Sequence, residues 1–269
     1  MTKFPFQPDP LRLVHLTDPH LYTDPAGRLR GVPTLPALQA VLAAARAEIE
    51  ACQAILVTGD IVQDDPGGYE HFRVELGGLS RPVLCVPGNH DDLPAMRAAL
   101  SAPPFQLDGT WDIGAWRVVL LNSMVPGETG GRLAAASLAF LEQALASAPD
   151  RHALICLHHH PVRVRSRWLD DIGVANGQQF TDLLQRFPRA RTVLFGHVHQ
   201  QLDEMADGVR MIATPSTCSQ FKPLSDEFAT DDAPPAWRTL TLHADGRVET
   251  ALKWLHDWQQ APRLVVGAR

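Results

Sequence analysis

Leu84-Cys85-Val86-Pro87-Gly88-Asn89-His90-Asp91-Asp92 is the stretch from which the rest of the chain is read. Its apolar start reads as a buried strand, and Pro87-Gly88 ends that strand abruptly. An amide, an imidazole and two carboxylates follow at once, with no apolar residue among them. Loops at strand ends of α/β proteins are held by a rigid sheet and are where ligands bind. Gly, Asn and Asp are also ordinary turn residues, so this stretch alone fits a plain polar turn. Four more strand ends that finish the same way decide between the two readings.

Upstream, Leu11–Thr17 reads as the first strand and runs straight into Asp18-Pro19-His20. Residues two apart in an extended segment face one side, so Asp18 and His20 can share a target, and Pro19 stiffens the pair. Residues 34–50 carry helical spacing, with Thr34 as expected N-cap and Pro36 in the first turn. Ala54–Thr58 reads as a strand ending in Gly59-Asp60, and a short helix is expected over Tyr69–Leu76.

Downstream, a helix over Leu93–Leu100 precedes short strands around Trp111–Ile113 and Trp116–Leu121, turning at Gly114. An Ala/Leu-rich helix follows at 134–147. His152–Leu157 is a strand that stops at His158-His159-His160-Pro161; since neighbours on a strand face opposite ways, one or two of these His can reach one site. Residues 162–177 read as an irregular exposed loop. After a helix over Gln178–Phe187, the strand Arg191–Phe195 ends in Gly196-His197-Val198-His199. The last third reads as a meander, with strands around Gln201–Met205, Val209–Ala213, Trp237–His243 and Val248–Trp254, and an acidic surface loop at Asp226–Pro235.

The 269 residues are 45% hydrophobic, enough for one large core. Without composition breaks or repeats, a single domain over 1–269 is expected, its core about 11–255, with residues 262–269 free to fray. A net charge of −6 without long single-sign runs argues against nucleic-acid or anionic-membrane partners. No apolar run is long enough for a membrane span, and Met1–Pro5 lacks a signal-peptide pattern. Cys52, Cys85, Cys156 and Cys218 are scattered, three of them in apolar runs, which suits buried thiols in a reducing cytoplasm.

Collected, the strand ends supply Asp18, His20, Asp60, Asn89, His159, His197 and His199. Seven nitrogen and oxygen donors exceed the needs of one metal and suffice for two. With no Cys among them, imidazole and carboxylate suit Fe, Mn or Zn. The series DxH, GD, GNHD, HHHP and GHVH, each after a strand, resembles the calcineurin-like metallophosphoesterases. That resemblance implies a four-layer αββα sandwich of two mixed β-sheets flanked by helices, an α/β (α+β) fold. It also implies Asp18, His20 and His199 on one divalent cation, Asn89, His159 and His197 on a second, and Asp60 bridging. His159 is taken because the family's ligand stands two positions before the Pro. His20, Asp60, Asn89, His90 and His199 would face substrate, Asp60 and His90 being catalytic, with His90 as general acid beside a hydroxide shared by the metals. His15, His71, His152, His243 and His256 match no motif and read as ordinary hydrogen-bonded or solvated rings.

Ala213–Pro223, Pro235-Ala236-Trp237-Arg238, Trp168-Leu169-Asp170 and His199-Gln200 further resemble the bacterial class III 3′,5′-cyclic AMP phosphodiesterases, over about Leu11 to Val248. Family members often carry Asp where Asn122 stands. The resemblance implies hydrolysis of 3′,5′-cyclic AMP to 5′-AMP, a small-molecule cyclic nucleotide being the partner. Asn176, Trp168 and Phe221 are candidates for holding the base. The competing readings are a broader phosphodiesterase, acting on glycerophosphodiesters or 2′,3′-cyclic nucleotides, and a non-catalytic metal-bound module. Sequence leaves the oligomeric state open, a homodimer included.

Overall fold

The computed structural model describes residues 10–258; the expectations for Met1–Pro5 and for residues 262–269 fall outside that range. In chain order come β1 (Leu11–Leu16), β2 (Arg28–Leu29), β3 (Val32–Pro33), α1 (Thr34–Ala44), α2 (Arg46–Ala51), β4 (Ala54–Val57), α3 (Gly68–Gly77), β5 (Val83–Cys85), α4 (Leu93–Ala99) and β6 (Phe105–Gln106). Then follow β7 (Gly109–Ile113), β8 (Trp116–Leu120), α5 (Ala135–Ala146), β9 (His152–Cys156), α6 (Arg167–Asp170), α7 (Gly177–Gln185), β10 (Ala190–Phe195), β11 (Leu202–Ala206) and β12 (Val209–Ala213). The chain closes with β13 (Gln220–Phe221), β14 (Thr230–Asp231), β15 (Ala236–Leu242) and β16 (Val248–Trp254).

Two mixed six-stranded sheets result, ordered β16-β15-β1-β4-β5-β6 and β11-β12-β10-β9-β8-β7. β1, β4, β5 and β6 run parallel, as do β12, β10, β9 and β8. The alternation of apolar residues along each strand assigns the layers. Leu13, Leu56, Leu84, Val118, Leu154, Leu194 and Ile212 point between the sheets and form the central core. Val14, Leu16, Ile55, Val57 and Val83 face the other way, onto Leu38 and Val41 of α1, Phe72 and Leu76 of α3 and Met96 of α4. On the second sheet Val119, Ile155, Val193 and Phe195 pack against Leu141 and Leu145 of α5 and Phe180 and Leu184 of α7. Both faces of each sheet are therefore apolar, and a one-residue slip would exchange two different cores, which pins the register. The layering is the expected αββα. Among the described residues, no helix is long and apolar enough to cross a membrane.

Local expectations are corrected in four places. The helical stretch over 34–50 breaks at Ala45, with Pro33 rather than Thr34 at the N-cap position, and the Thr34 hydroxyl has no partner. The fixed φ of Pro33 supplies the extended entry that a capping side chain would otherwise secure. Residues 162–177 are not uniformly exposed: Val164, Ser166 and Leu169 are buried and α6 forms one turn. The acidic 226–235 segment pairs through β14 with β13. The β2–β3 hairpin and β6 are too short to leave a periodic signal. All four cysteines are buried and free.

Candidate metal centre

Because β1, β4 and β5 of one sheet and β9 and β10 of the other are parallel within their sheets, their C-terminal ends open onto one rim, where the polar motifs meet. The chain has to turn sharply there. Asp18, His20, Asp60, His197 and His199 all have positive φ, between 47° and 65°. Left-handed backbone at non-glycine residues costs on the order of 1–3 kcal/mol each and persists only where surroundings hold it. Backbone pairing beyond the strand ends holds it here. Asp18 N donates to Gly59 O (3.1 Å) and His20 N to Asp60 O (2.9 Å). Gly59 at φ +91° and Gly88 allow the close approach: a Cβ on Gly88 would run into the Asp60 backbone and carboxylate.

Two groups of donors converge. In the first, His20 Nε2 lies 3.0 Å from His199 Nε2, and His199 Nε2 lies 3.4 Å from Asp18 Oδ1. In the second, His158 Nε2 stands 3.1 Å from Asn89 Oδ1, 3.3 Å from Asp60 Oδ2 and 3.2 Å from His197 Nδ1. Asp60 Oδ2 is also 3.8 Å from His20 Nε2 and so adjoins both groups. The chemistry of the donors fits cations. His199 Nδ1 must donate to the Ser219 carbonyl (2.6 Å), and His158 Nδ1 to that of Thr58 (2.6 Å). The neutral His199 ring then turns its Nε2 lone pair toward His20 Nε2, and the buried Nε2 atoms of His159 and His197 have no partner among the described residues, an arrangement that cations relieve.

Asp18, His20, Asp60, Asn89, His197 and His199 are thus brought together, and His159 and His158 both stand beside His197. His159 lies close by, with a donor within 4.8 Å of those of His158 and His197. His158 reaches Asn89 and Asp60, while His159 Nδ1 bonds the Ser123 hydroxyl (2.8 Å) and leaves its buried Nε2 without a partner among the described residues.

Without a cation, protons take up part of the role. Burial alone would lower the pKa of His158, but the Asp60 and Asp18 carboxylates outweigh it and raise it to about 9. Burial would raise the Asp60 carboxyl, yet His158 and then His20 hold it well below the usual range. His20 is pushed down to about 3, chiefly by burial.

A cavity of about 210 Å³ opens onto the donors. His20, Asp60, Asn89, His90, His197 and His199 line its floor; Leu29, Arg30, Trp168, Phe221 and Phe228 form an opposing wall. Phe221 stacks on His199 (centroids 4.2 Å apart, planes 16°), Trp168 meets Phe221 and Phe228 edge-on, and the Arg30 guanidinium lies 4.2 Å from the Phe228 ring centre. Asn176 is not part of this wall. Its amide is used up in bonds to the backbone of Leu133, 3.0 and 2.9 Å.

Sequence reading passed over several supports. Asp91 is buried and accepts from the N–H groups of Gly88 and Ile61 and from the Tyr69 hydroxyl, tying two strand-end loops together. Burial, then the Asp60 charge, raises its pKa to about 6. Asp92 instead caps α4, accepting from Ala95 N at 2.8 Å. His90 Nδ1 donates to Asp64 Oδ2 (2.9 Å). The GNHD motif contained Asp91, but nothing in it separated a tie from a ligand.

Residues 11–201 match the family model described as calcineurin-like phosphoesterase. The chain is 40% identical over 254 residues to a protein of Escherichia coli K12 named 3′,5′-cyclic adenosine monophosphate phosphodiesterase, covering 94% of this chain and 92% of that one. A like-named protein of Vibrio vulnificus is 40% identical over 247 residues, covering 91% and 90%. A 3′,5′-cyclic-nucleotide phosphodiesterase of Nostoc sp. is 34% identical, covering 91% and 92%. Among solved structures, a dimetal phosphatase from Danio rerio superposes with a TM-score of 0.64 at 16% identity, over 92% of this chain and 100% of that one, a likeness of fold.

Proposed function

The chain belongs to the calcineurin-like phosphoesterase family, and on that premise we propose that it hydrolyses 3′,5′-cyclic AMP to 5′-AMP at a centre of two divalent cations. The observation that carries the reading is the pair of lone-pair clusters adjoining Asp60 at the floor of a cavity with an aromatic wall. Relatives named as cyclic AMP phosphodiesterases over nearly their whole length support the choice of substrate.

Asp18, His20, His199 and Asp60 would hold one cation; Asp60, Asn89, His159 and His197 the other, with His158 beside Asp60. Imidazole and carboxylate donors favour iron or manganese, with zinc compatible. When bound, such a pair neutralises the phosphodiester charge and lowers the pKa of water toward neutrality. The chain's own groups do the rest. Water oxygen bonds to phosphorus, the bond to the 3′ oxygen breaks, and that oxygen takes a proton. His90, at the cavity mouth, can supply it from Nε2–H in its charged form, in which Nδ1–H is held by the Asp64 carboxylate. Phe228 and the Arg30 guanidinium offer a face on which a purine can stack, and the Trp168 indole N–H is without a partner. Because both sheets contribute donors, we take residues 11–255 to act as one domain.

The test is turnover of cyclic AMP, cyclic GMP, 2′,3′-cyclic AMP and bis-p-nitrophenyl phosphate by protein loaded with manganese or iron. Preference for cyclic AMP supports the proposal. Equal turnover of all four points to a broader phosphodiesterase, and turnover of none, with two cations bound, to a non-catalytic module. His90→Ala is expected to lower kcat by about 10²–10⁴-fold with metal content unchanged.

A further inference from the structure

One buried polar track takes no part in the chemistry above. Arg238, on β15, is 2% exposed, and its guanidinium bonds only uncharged oxygens: Thr214 Oγ1 (3.1 Å), Ala213 O (3.0 Å) and Thr250 Oγ1 (3.2 Å). Thr214 Oγ1 lies 2.7 Å from His15 Nδ1, and His15 Nε2 lies 2.8 Å from Thr58 Oγ1. Thr58 Oγ1 is 2.7 Å from Thr17 Oγ1, which is 2.6 Å from Asp18 Oδ2. These side chains are all essentially shut off from solvent. Five hydrogen bonds therefore join a buried cation to the carboxylate proposed as a metal ligand.

The direction of every bond follows from its two ends. The Asp18 carboxylate can only accept, so Thr17 donates to it and must accept from Thr58. Thr58 has then spent its single hydrogen and accepts from His15 Nε2–H. A neutral ring with Nε2 protonated presents a lone pair at Nδ1, so Thr214 donates there and accepts from Arg238, which can only donate. Burial, with the Arg238 charge, lowers the pKa of His15 to about 3, which keeps the ring neutral. Each link aligns its dipole the same way, with hydrogen toward Asp18, and aligned bonds polarise one another in a low-dielectric interior.

We propose that Arg238, Thr214, His15, Thr58 and Thr17 form one directed chain of positioning residues that fixes Asp18 Oδ2 and leaves Oδ1 turned toward His199 for the cation. Oδ1 is the atom 3.4 Å from His199 Nε2. The same segment clamps the backbone: Ser216 Oγ donates to Asp18 O (2.6 Å) and Thr217 N to Thr17 O (3.0 Å). A function is thereby given to Thr214 and Arg238, which stand in two C-terminal motifs that the chemistry itself leaves unused. The inference rests on Asp18 being a ligand.

Paired substitutions at Thr58 and Thr214 test it, because valine keeps the shape and loses the hydroxyl whereas serine keeps the hydroxyl and loses a methyl group. Binding of Mn²⁺ to metal-free protein is measured by titration calorimetry, beside the thermal unfolding of the metal-free form. Thr58→Val and Thr214→Val are expected to weaken one of two Mn²⁺ equivalents by about 10–100-fold, the range for outer-shell partners. Thr58→Ser and Thr214→Ser should bind like the parent, though they unfold at lower temperature. Combining the two valines should add little, since the chain is already cut. Should the valine variants keep both affinities, or the serine variants lose them in step with stability, the residues are packing alone and the inference fails. If the unsubstituted protein binds no Mn²⁺, the proposed function fails instead. For a Thr58 variant that does not fold, the Thr214 pair, farther from the metal site, carries the same decision.

Discussion

At the scale of single residues, the pair His158 and His159 shows how close the margin is between a donor and its neighbour. Both rings are buried and their centroids are 4.8 Å apart; His158 faces Asn89 and Asp60, and His159 keeps a buried Nε2 without a partner among the described residues. His159→Ala is expected to lose one metal equivalent in metal analysis after gel filtration, with affinity down more than about 100-fold. His158→Gln should keep both equivalents, at a stability cost of about 1–2 kcal/mol for its buried bonds to Thr58 and Asn89. Loss of metal from the second variant and not the first would make His158 the ligand instead. The residues on the correct strand ends were legible in the sequence because Asp, His and Asn repeatedly followed apolar runs. Choosing among three adjacent histidines rests on counting back from Pro161, since His158 and His159 both place a donor beside His197. His15 was read as an ordinary hydrogen-bonded ring; it is hydrogen-bonded, but its partners lie 199 and 43 residues away along the chain, beyond any local pattern.

At the scale of elements, the strand ends combine strain and tight approach. In Gly59→Ala, the new Cβ would lie 2.6 Å from Gly88 N and from His158 Nδ1, at a φ that L-residues avoid. Backbone strain alone costs about 1–3 kcal/mol, and both donor groups adjoin the displaced Asp60. Loss of stability in urea together with loss of both metal equivalents is expected; an unaltered midpoint and metal content would contradict it. The β1–β4 pair also carries a pH effect. His15 is neutral in the fold with a pKa near 3, whereas in the unfolded chain it takes a proton below about 6.5. Its contribution is whole above pH 6.5 and is lost as pH falls toward 3, with a slope of up to about 1.4 kcal/mol per pH unit. The stability of metal-free His15→Gln should therefore fall less steeply with acid than that of the parent, as read by urea melts at pH 7, 6 and 5. The long strands and helices were plain from periodicity, while two-residue strands such as β6 and β13 were not, since two positions cannot define a period.

At the scale of the whole molecule, the donors are divided between the sheets: Asp18, Asp60 and Asn89 follow strands of the first, His159, His197 and His199 strands of the second. Cations bound there would join the two halves, so chelation should lower Tm, by an amount that grows with free metal concentration. Because His158 is raised to about 9, it carries a proton at neutral pH that a cation has to displace. Calorimetry at pH 7 in buffers of different ionisation enthalpy should show release of close to one proton per protein; release of none would mean that His158 is neutral before loading. The order of the chain has a consequence for biosynthesis. Every donor precedes residue 200, yet Ser219 orients His199, Ser216 grips Asp18, and β15 must slot between β1 and β16. A nascent polypeptide would thus display a full complement of ligands on the ribosome while still unable to hold them in place, and metallation would wait until residues 216–254 have been made.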